Sequence, residues 1–293
     1  MPLLERTYEI VKPSSLAIKW EQYEKIILGE WSGLLSPQNQ DDETIFHSFF
    51  ERHPCMLPRT YDVFGGGATD AWPGALISKP VLPTFTRKIP DFMWITFDSM
   101  ATYAVLIEIE APGKPWSTND GYQSQKLTKA IDQLKEWKVW FSEPLNQAQF
   151  HQYYRIPNRF LRDRSFLQRY ILIYGRRADA TKDENFARKR AHLQDQDERF
   201  MTYDRLQPNK FLSNLLTVRI DGTGYKAISI PPTLTLGPMD AEDWSIIRDK
   251  KQAVLNNTYI STERKDFLIR RWPYWDEWAK SGKRGTISAG DIE

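Results

Sequence analysis

Three stretches of the chain repeat apolar residues every three or four positions, the spacing of a helix with one buried face. They are residues 16–31, 43–53 and 123–141. Asp41 or Asp42 is placed to cap the second helix with its side chain. The expected buried stripe of the first helix is Leu16, Trp20, Tyr23, Ile27 and Trp31. That of the third is Leu127, Ala130, Ile131, Leu134, Trp137 and Phe141.

Shorter stretches have the β-branched and aromatic content that is typical of strands. Residues 91–97 and 102–110 form a predicted hairpin, and residues 171–174 form a strand that is apolar on both faces. A further strand is expected at 199–206. A second hairpin is expected where LLTVRI and YKAISI flank DGTG (221–224). Because a strand, a helix and a buried strand follow one another, the order predicts an α/β fold with a mixed central sheet flanked by helices.

Three other regions complete the prediction. Residues 62–74 contain three consecutive glycines and are expected to form a loop. Residues 181–194 are expected to be helical, as is the charged tail from Asp240 to about Trp278.

The first hairpin carries three acidic residues in an otherwise apolar stretch. If Ser99 and Met100 form its turn, paired residues sum to 199, and Asp91 lies opposite Glu108 with Cβ atoms about 5 Å apart. Glu110 shares the strand face of Glu108, since side chains alternate along a strand. Buried carboxylates repel one another and are costly without a positive partner. Because oxygen ligands favour Mg²⁺ or Mn²⁺, the sequence predicts one such ion held by the three acids.

Composition narrows the class of protein without identifying it. The net charge is +2, yet eleven Lys or Arg residues face four Asp or Glu residues between Arg155 and Arg190. Such a band indicates either a surface that binds a polyanionic partner or an Arg-rich face that is exposed to solvent. Cys55 is the single cysteine, which excludes an internal disulfide framework. No apolar run approaches the roughly 20 residues that cross a bilayer, and the N-terminus does not resemble a signal peptide. We therefore expect a cytoplasmic protein that has no membrane contact.

Several segments, in order, resemble the Shedu anti-phage defence nucleases, a branch of the PD-(D/E)xK nuclease superfamily. Pro90-Asp91 and Glu108-Ile109-Glu110 resemble the superfamily signature of Pro-Asp followed by Glu-x-Lys, with Glu in place of the usual Lys. The segments that resemble the Shedu branch are ETIFHSFFERHPCMLP, RKIPDF, VLIEIEAP, KAIDQLKEW, RYILIYGRR and ERFMTYDRL. Each is short, but their shared order over roughly residues 40–206 is specific.

The resemblance does not clearly cover residues 1–40 or 207–293, so the chain is expected to have a core with two flanking parts that the local patterns predict. Residues 41–206 would form a restriction-endonuclease-like core, preceded by an N-terminal helical segment (1–40). Residues 207–293 would form a C-terminal hairpin and a helical tail packed on that core. The resemblance further implies DNA as the partner and a homo-oligomer, with a tetramer as one candidate form.

The resemblance also implies the site residues. Asp91 and Glu108 would be ligands of Mg²⁺ (or Mn²⁺), helped by the main-chain carbonyl of Ile109. Gln133 would lie at the edge of the site on the following helix. Glu43 would be the acid that reaches the site from the first core helix, although Glu51, two turns later, is the competing choice.

The glutamate at position 110 leaves the activity open. Glu110 can act as a general base or as a further metal ligand, but it cannot stabilise negative charge as a lysine does. Lys114, four residues later, is a candidate source of that positive charge. The chain is therefore either a DNA endonuclease or nickase, or a catalytically impaired nuclease-fold protein that binds DNA or acts as a sensor.

A glycosidase that uses two carboxylates is a third hypothesis. The many aromatic residues are the one feature in its favour, since aromatics can form a sugar platform. A requirement for a divalent metal separates it from the nuclease.

Overall fold

The computed structural model describes residues 5–65, 70–84, 89–182, 184–222, 224–283 and 285–293, apart from the side chain of Asp70. The helices are α1 (Trp20–Leu34), α2 (Glu43–Arg52), α3 (Thr60–Phe64), α4 (Gln125–Ser142), α5 (Pro144–Tyr153), α6 (Asn158–Leu161), α7 (Arg177–Ala180), α8 (Glu184–Arg190), α9 (Pro238–Trp244), α10 (Lys250–Asn256) and α11 (Thr262–Lys280). The strands are β1 (Asp70–Ser78), β2 (Phe92–Phe97), β3 (Ala101–Ile109), β4 (Ser165–Ile173), β5 (Glu198–Met201), β6 (Leu216–Asp221), β7 (Gly224–Ser229) and β8 (Ile247–Arg248).

These strands form one mixed sheet in the order β5-β4-β3-β2-β1-β6-β7-β8. Strands β1, β2 and β3 pair antiparallel, whereas β3, β4 and β5 run parallel to one another. On the other side, β6 joins β1 in parallel and turns back into β7. The predicted α/β class, with a mixed central sheet and flanking helices, is confirmed.

The sheet separates two hydrophobic clusters, and β3 shows how one strand serves both. Ala104 and Leu106 belong to the cluster that includes the buried stripe of α4 and residues of α9, α10 and α11. Val105, Ile107 and Ile109 belong to the other cluster, which includes the buried residues of α1 and α2. This alternation places Glu108, which follows Ala104 and Leu106 at two-residue spacing, on the face covered by α4.

The register of the first hairpin is the predicted one. Phe92 pairs with Ile107, so partner residues sum to 199 and the turn consists of two residues. The carboxylate of Asp98 accepts hydrogen bonds of 2.8 Å from the backbone N–H groups of both Met100 and Ala101. This side-chain closure stabilises a turn whose Ser-Met sequence is not itself a favoured one.

The three amphipathic helices are present with adjusted ends. Helix α1 begins at Trp20, so Leu16 lies before it and is 73% exposed, contrary to its predicted place in the buried stripe. Asp42 caps α2, because its side chain accepts a hydrogen bond of 2.9 Å from the N–H of Thr44. All six residues of the predicted α4 stripe are buried. Within the described ranges, no helix is long and apolar enough to cross a membrane.

The loop prediction for residues 62–74 is wrong at both ends, because α3 extends to Phe64 and β1 begins at Asp70; residues 66–69 lie outside the described residues. Pro73 and Gly74 suggested a loop, but the ladder between β1 and β2 is irregular there and accommodates both. Gly74 has a φ of +74°, and a Cβ on it would lie 2.6 Å from the indole nitrogen of Trp244. Glycine is therefore required at a close approach inside the sheet.

Two predicted elements are shorter in the structure. The strand expected at 199–206 ends at Met201, and a 3-10 turn follows at Tyr203–Arg205. The helix expected at 181–194 covers only Glu184–Arg190. The tail is largely helical, as predicted, through α9, α10 and α11.

Candidate functional site

The candidate site lies where β2 begins, β3 ends and α2 and α4 approach. Asp91 precedes β2, Glu108 is the penultimate residue of β3, and Gln133 lies in the middle of α4. Glu43 is the first residue of α2. The hairpin register brings Asp91 beside the end of β3, which is the arrangement expected from the sequence.

Asp91 is held by the backbone on one side and by a lysine on the other. Its Oδ2 accepts a hydrogen bond of 2.9 Å from the N–H of Ile109, and its Oδ1 is ion-paired with the ammonium of Lys79. The N–H of Lys79 also donates to the Asp91 carbonyl, at 2.7 Å. Because the N–H and C=O of a strand residue point to the same side, the Ile109 carbonyl points towards Asp91.

Glu108 is buried and only half satisfied. Its Oε1 accepts a hydrogen bond of 2.7 Å from the Gln133 amide. Its Oε2 and the Gln133 Oε1 are also buried, and neither has a hydrogen-bond partner among the described residues. Burial raises the pKa of Glu108 well above its ordinary value, and the negative charges of Asp91 and Glu43 raise it further. Two buried oxygens at the site are therefore left without a hydrogen-bond donor among the described residues.

Glu110 does not join the other two acids, contrary to the sequence prediction. It is ion-paired with Lys114, whose ammonium also lies 3.4 Å from Glu43 Oε2. Among the described residues, the ligand atoms of Asp91, Glu108 and Glu110 do not form a group within 4.8 Å of one another. Glu110 lies beyond the end of β3, where Lys114 is the nearer positive charge.

The structure favours Glu43 over Glu51 as the acid of α2 nearest to the site. Glu43 raises the pKa of Glu108, whereas Glu51 accepts hydrogen bonds from Ser78, at 2.5 Å, and from Arg219, at 3.0 Å. Glu51 is thus turned towards β1 and β6. Its charge is balanced there by an arginine.

Two residues near the acids were not assigned from the sequence. Lys79 follows β1 and contacts Asp91 only because β1 pairs with β2, which no local pattern signals. Tyr203 is fully buried, and its hydroxyl has no hydrogen-bond partner within the described ranges. Burial raises its pKa, and so do the charges of Glu43, Asp91 and Glu108. The signal for Tyr203 was the Thr-Tyr-Asp segment at 202–204.

A second acidic cluster lies at the edge of the sheet. Carboxylate oxygens of Asp195, Asp197 and Glu198 lie within 4.8 Å of one another. The ammonium of Lys138 sits among them, at 2.9, 2.8 and 2.7 Å respectively. The ammonium contacts all three carboxylates, and Glu198 Oε2 also accepts a hydrogen bond of 2.9 Å from the N–H of Asp195. Glu198 Oε1 has this lysine as its ion-pair partner, whereas Glu108 Oε2 has no partner among the described residues.

Of the two arginines at positions 176 and 177, the first is bonded within the fold and the second is exposed to solvent. The guanidinium of Arg176 is bidentate to Asp204 and donates to the Leu35 carbonyl. Arg177 remains exposed at the start of α7. Arg176 therefore holds α1 and the residues after β5 together.

The residues around Glu108 fit a divalent cation. Asp91 and Glu108 supply hard carboxylate oxygens, the N–H of Ile109 donates to Asp91, and Glu108 Oε2 is without a partner among the described residues. These are the ligand types that Mg²⁺ and Mn²⁺ prefer. Gln133 would orient Glu108 from behind, as outer partners of metal ligands do.

Comparison with known proteins gives one family. The model of the family described as "Shedu protein SduA, C-terminal" matches residues 40–207, more than half of the chain. No curated protein matches the chain. The matched range contains Glu43, Asp91, Glu108 and Gln133, and it ends shortly after Tyr203. The chain belongs to the Shedu family of anti-phage defence proteins.

Proposed function

We propose that this protein is a metal-dependent DNA endonuclease or nickase of a Shedu-like anti-phage defence system. The observation that carries this proposal is the unpartnered, buried Glu108 Oε2 beside Asp91, at the end of β3. Leaving a buried carboxylate oxygen unsatisfied costs about 1–3 kcal/mol or more. A site that keeps such a group is suited to bind a cation there.

Each residue has a distinct part in this proposal. Asp91, Glu108 and the Ile109 carbonyl hold Mg²⁺ or Mn²⁺, and Gln133 fixes Glu108 through its 2.7 Å hydrogen bond. Glu110 is the general base for the attacking water. Lys114 pairs with the carboxylate of Glu110 and links it to Glu43.

The reaction is the hydrolysis of a phosphodiester bond. A cation bound at Asp91 and Glu108 would lower the pKa of its water and offset charge on the phosphate. The water oxygen forms a new bond to phosphorus while its proton passes to Glu110. One ester P–O bond breaks, and the leaving oxygen takes up a proton, which yields a hydroxyl and a phosphate monoester.

DNA in the cytoplasm is the proposed substrate, with a homo-oligomer, such as a tetramer, as the proposed assembly. Family membership supports a role in antiviral defence, in which foreign DNA is the natural target of a nuclease. The basic residues Lys79 and Lys114 at the site would favour an anionic polymer. The division into segments 1–40, 41–206 and 207–293 remains part of this proposal.

A catalytically impaired DNA-binding or sensor protein is the second candidate. The observation in its favour is that Glu110 and Lys114 neutralise each other in an ion pair. In such a protein, DNA binding would weaken with salt. It would persist in EDTA and in a Glu108→Gln variant.

Plasmid cleavage with Mg²⁺ tests the two candidates. We expect wild type to nick or linearise the plasmid, and Asp91→Asn to lower the initial rate by at least about 100-fold, since even outer partners of metal ligands matter 10- to 100-fold. Asp195→Asn, in the second acidic cluster, is the matched control and should cut as wild type does. Equal rates for wild type and Asp91→Asn would contradict hydrolysis at this site.

A further inference from the structure

We propose that Lys79 supplies the positive charge that stabilises the phosphate during cleavage, in a place that neither Glu110 nor Lys114 can fill. This role rests on the proposed nuclease function. Two ionised carboxylates, Asp91 and Glu108, balance one divalent cation. The charge of a bound phosphodiester, which grows as water attacks, then requires one more positive group.

Lys79 is fixed at the mouth of the site by its backbone. It follows the last residue of β1, and its φ is +48°, a left-handed conformation that costs free energy in a residue other than glycine. Its N–H donates to the Asp91 carbonyl at 2.7 Å. The pairing of Ser78 with Phe92 holds the two strands together at this point. The lysine therefore starts from a defined position next to Asp91.

The side chain of Lys79 lies between the buried carboxylate of Asp91 and the solvent. Its ammonium is ion-paired with Asp91 Oδ1, and the side chain is 39% exposed, whereas that of Asp91 is 5% exposed. A substrate phosphate that approaches Asp91 from solvent therefore meets Lys79 at the entrance. When Asp91 gives Oδ1 to a cation, the ammonium is free to turn towards that phosphate.

The charge of Lys79 reaches the rest of the site. Burial, Asp91 and Glu43 raise the pKa of Glu108, and Lys79 opposes them. Burial lowers the pKa of His47, and Lys79 lowers it further. Both effects place the ammonium within electrostatic range of Glu108 and His47 as well as in contact with Asp91.

Lys114 is less suited to this role because it is already balanced. Its ammonium contacts the carboxylates of both Glu110 and Glu43. Turning it to a phosphate would leave Glu110 without its positive partner. If Lys79 turned to a phosphate, Asp91 would still have a positive partner, because the bound cation would replace the ammonium there.

Lys79→Met separates a charge-stabilising role from a structural one. We expect its maximal cleavage rate with Mg²⁺ to fall by about 10²–10³-fold, the usual loss for one group that stabilises developing charge. The affinity for Mn²⁺, measured by calorimetry without DNA, should stay equal or increase, because a positive charge near the cation is removed. Lys79→Arg, which keeps the charge, should retain part of the rate.

Lys210→Met is the matched control, since Lys210 forms a similar ion pair with Glu21 on the surface. It should cut as wild type does. A Lys79→Met rate within twofold of wild type, or a parallel loss of rate and Mn²⁺ affinity, would overturn the role of Lys79. If wild-type protein cuts no DNA, both the nuclease function and this role of Lys79 are wrong. If Lys79→Met cuts as fast as wild type does, only the role of Lys79 is wrong.

Discussion

The acids around Glu108 and the acids around Glu198 differ in how their oxygens are satisfied. At the edge of the sheet, Lys138 lies 2.7 to 2.9 Å from three carboxylates that are themselves within 4.8 Å of one another. At the end of β3, Glu108 receives one hydrogen bond from Gln133, and its second oxygen has no partner among the described residues.

The difference shows that close approach of carboxylates does not by itself indicate a metal site. The cluster whose three carboxylate oxygens lie within 4.8 Å of one another already has an ammonium in contact with each of them. In the pair of Asp91 and Glu108, burial and the neighbouring negative charges raise the pKa of Glu108, and one of its oxygens has no partner among the described residues. Three substitutions test whether the two clusters differ in this way.

The largest expected effect is that of Gln133→Leu on metal binding. Removing the 2.7 Å hydrogen bond to Glu108 should weaken Mn²⁺ affinity by roughly 10- to 100-fold, the usual cost of losing an outer partner of a metal ligand. Calorimetry on the folded variant measures this. Gln147→Leu, at a glutamine that bonds the Phe141 carbonyl, should not change the affinity. Equal affinities of wild type and Gln133→Leu would remove Gln133 from the site.

Lys138→Met should affect stability and leave cutting unchanged. The substitution removes the positive charge that pairs with Glu198, whose side chain is 2% exposed. The two neighbouring aspartates lose the same partner. Because Lys138 is itself partly exposed, we expect a loss of about 2 kcal/mol in the free energy of unfolding, below the value for a fully buried pair. Urea denaturation measures the loss. Lys210→Met, in an exposed pair, should cost under about 0.5 kcal/mol. A lower cleavage rate in Lys138→Met would contradict this expectation, because it would show that the second acidic cluster also takes part in cleavage.

The smallest effect is a pH signature of Glu108 in the metal-free protein. Burial, Asp91 and Glu43 raise its pKa above 4.5, so the folded state holds the proton more tightly than the unfolded chain does. Stability therefore falls as pH rises from 4.5 towards the raised pKa. In EDTA, Glu108→Gln should lose less stability than wild type across that range.

Thermal melting at several pH values measures this signature. Glu184→Gln, at an exposed glutamate, is the control and should follow wild type. Parallel declines in wild type and Glu108→Gln would show that the charge of Glu108 carries no penalty when the metal is absent.

Local patterns were sufficient where neighbouring residues decide the structure. The two-residue turn, closed by Asp98, fixed the register that brings Asp91 to Glu108. The inner stripe of α4 followed from helical spacing, whereas the place of Gln133 at the site followed from the family resemblance. The register and the stripe both depend on contacts within a single hairpin or helix.

Local patterns failed where partners come from distant segments. Strand β1 was missed because Pro73 and Gly74 interrupt its alternation, and its burial depends on β2 and β6. Lys79 was missed for the same reason, since only the β1–β2 pairing brings it to Asp91. Glu110 was expected to join the other acids, but the chain beyond β3 brings Lys114 to it instead.

Diffraction from crystals soaked in Mn²⁺, with anomalous scattering to locate the ion, would show which acids bind the cation. We expect one peak between Asp91 and Glu108, with the Ile109 carbonyl facing it and the Lys79 ammonium displaced from Asp91 Oδ1. We expect no peak among Asp195, Asp197 and Glu198. A peak in that second cluster with none beside Glu108 would contradict the account.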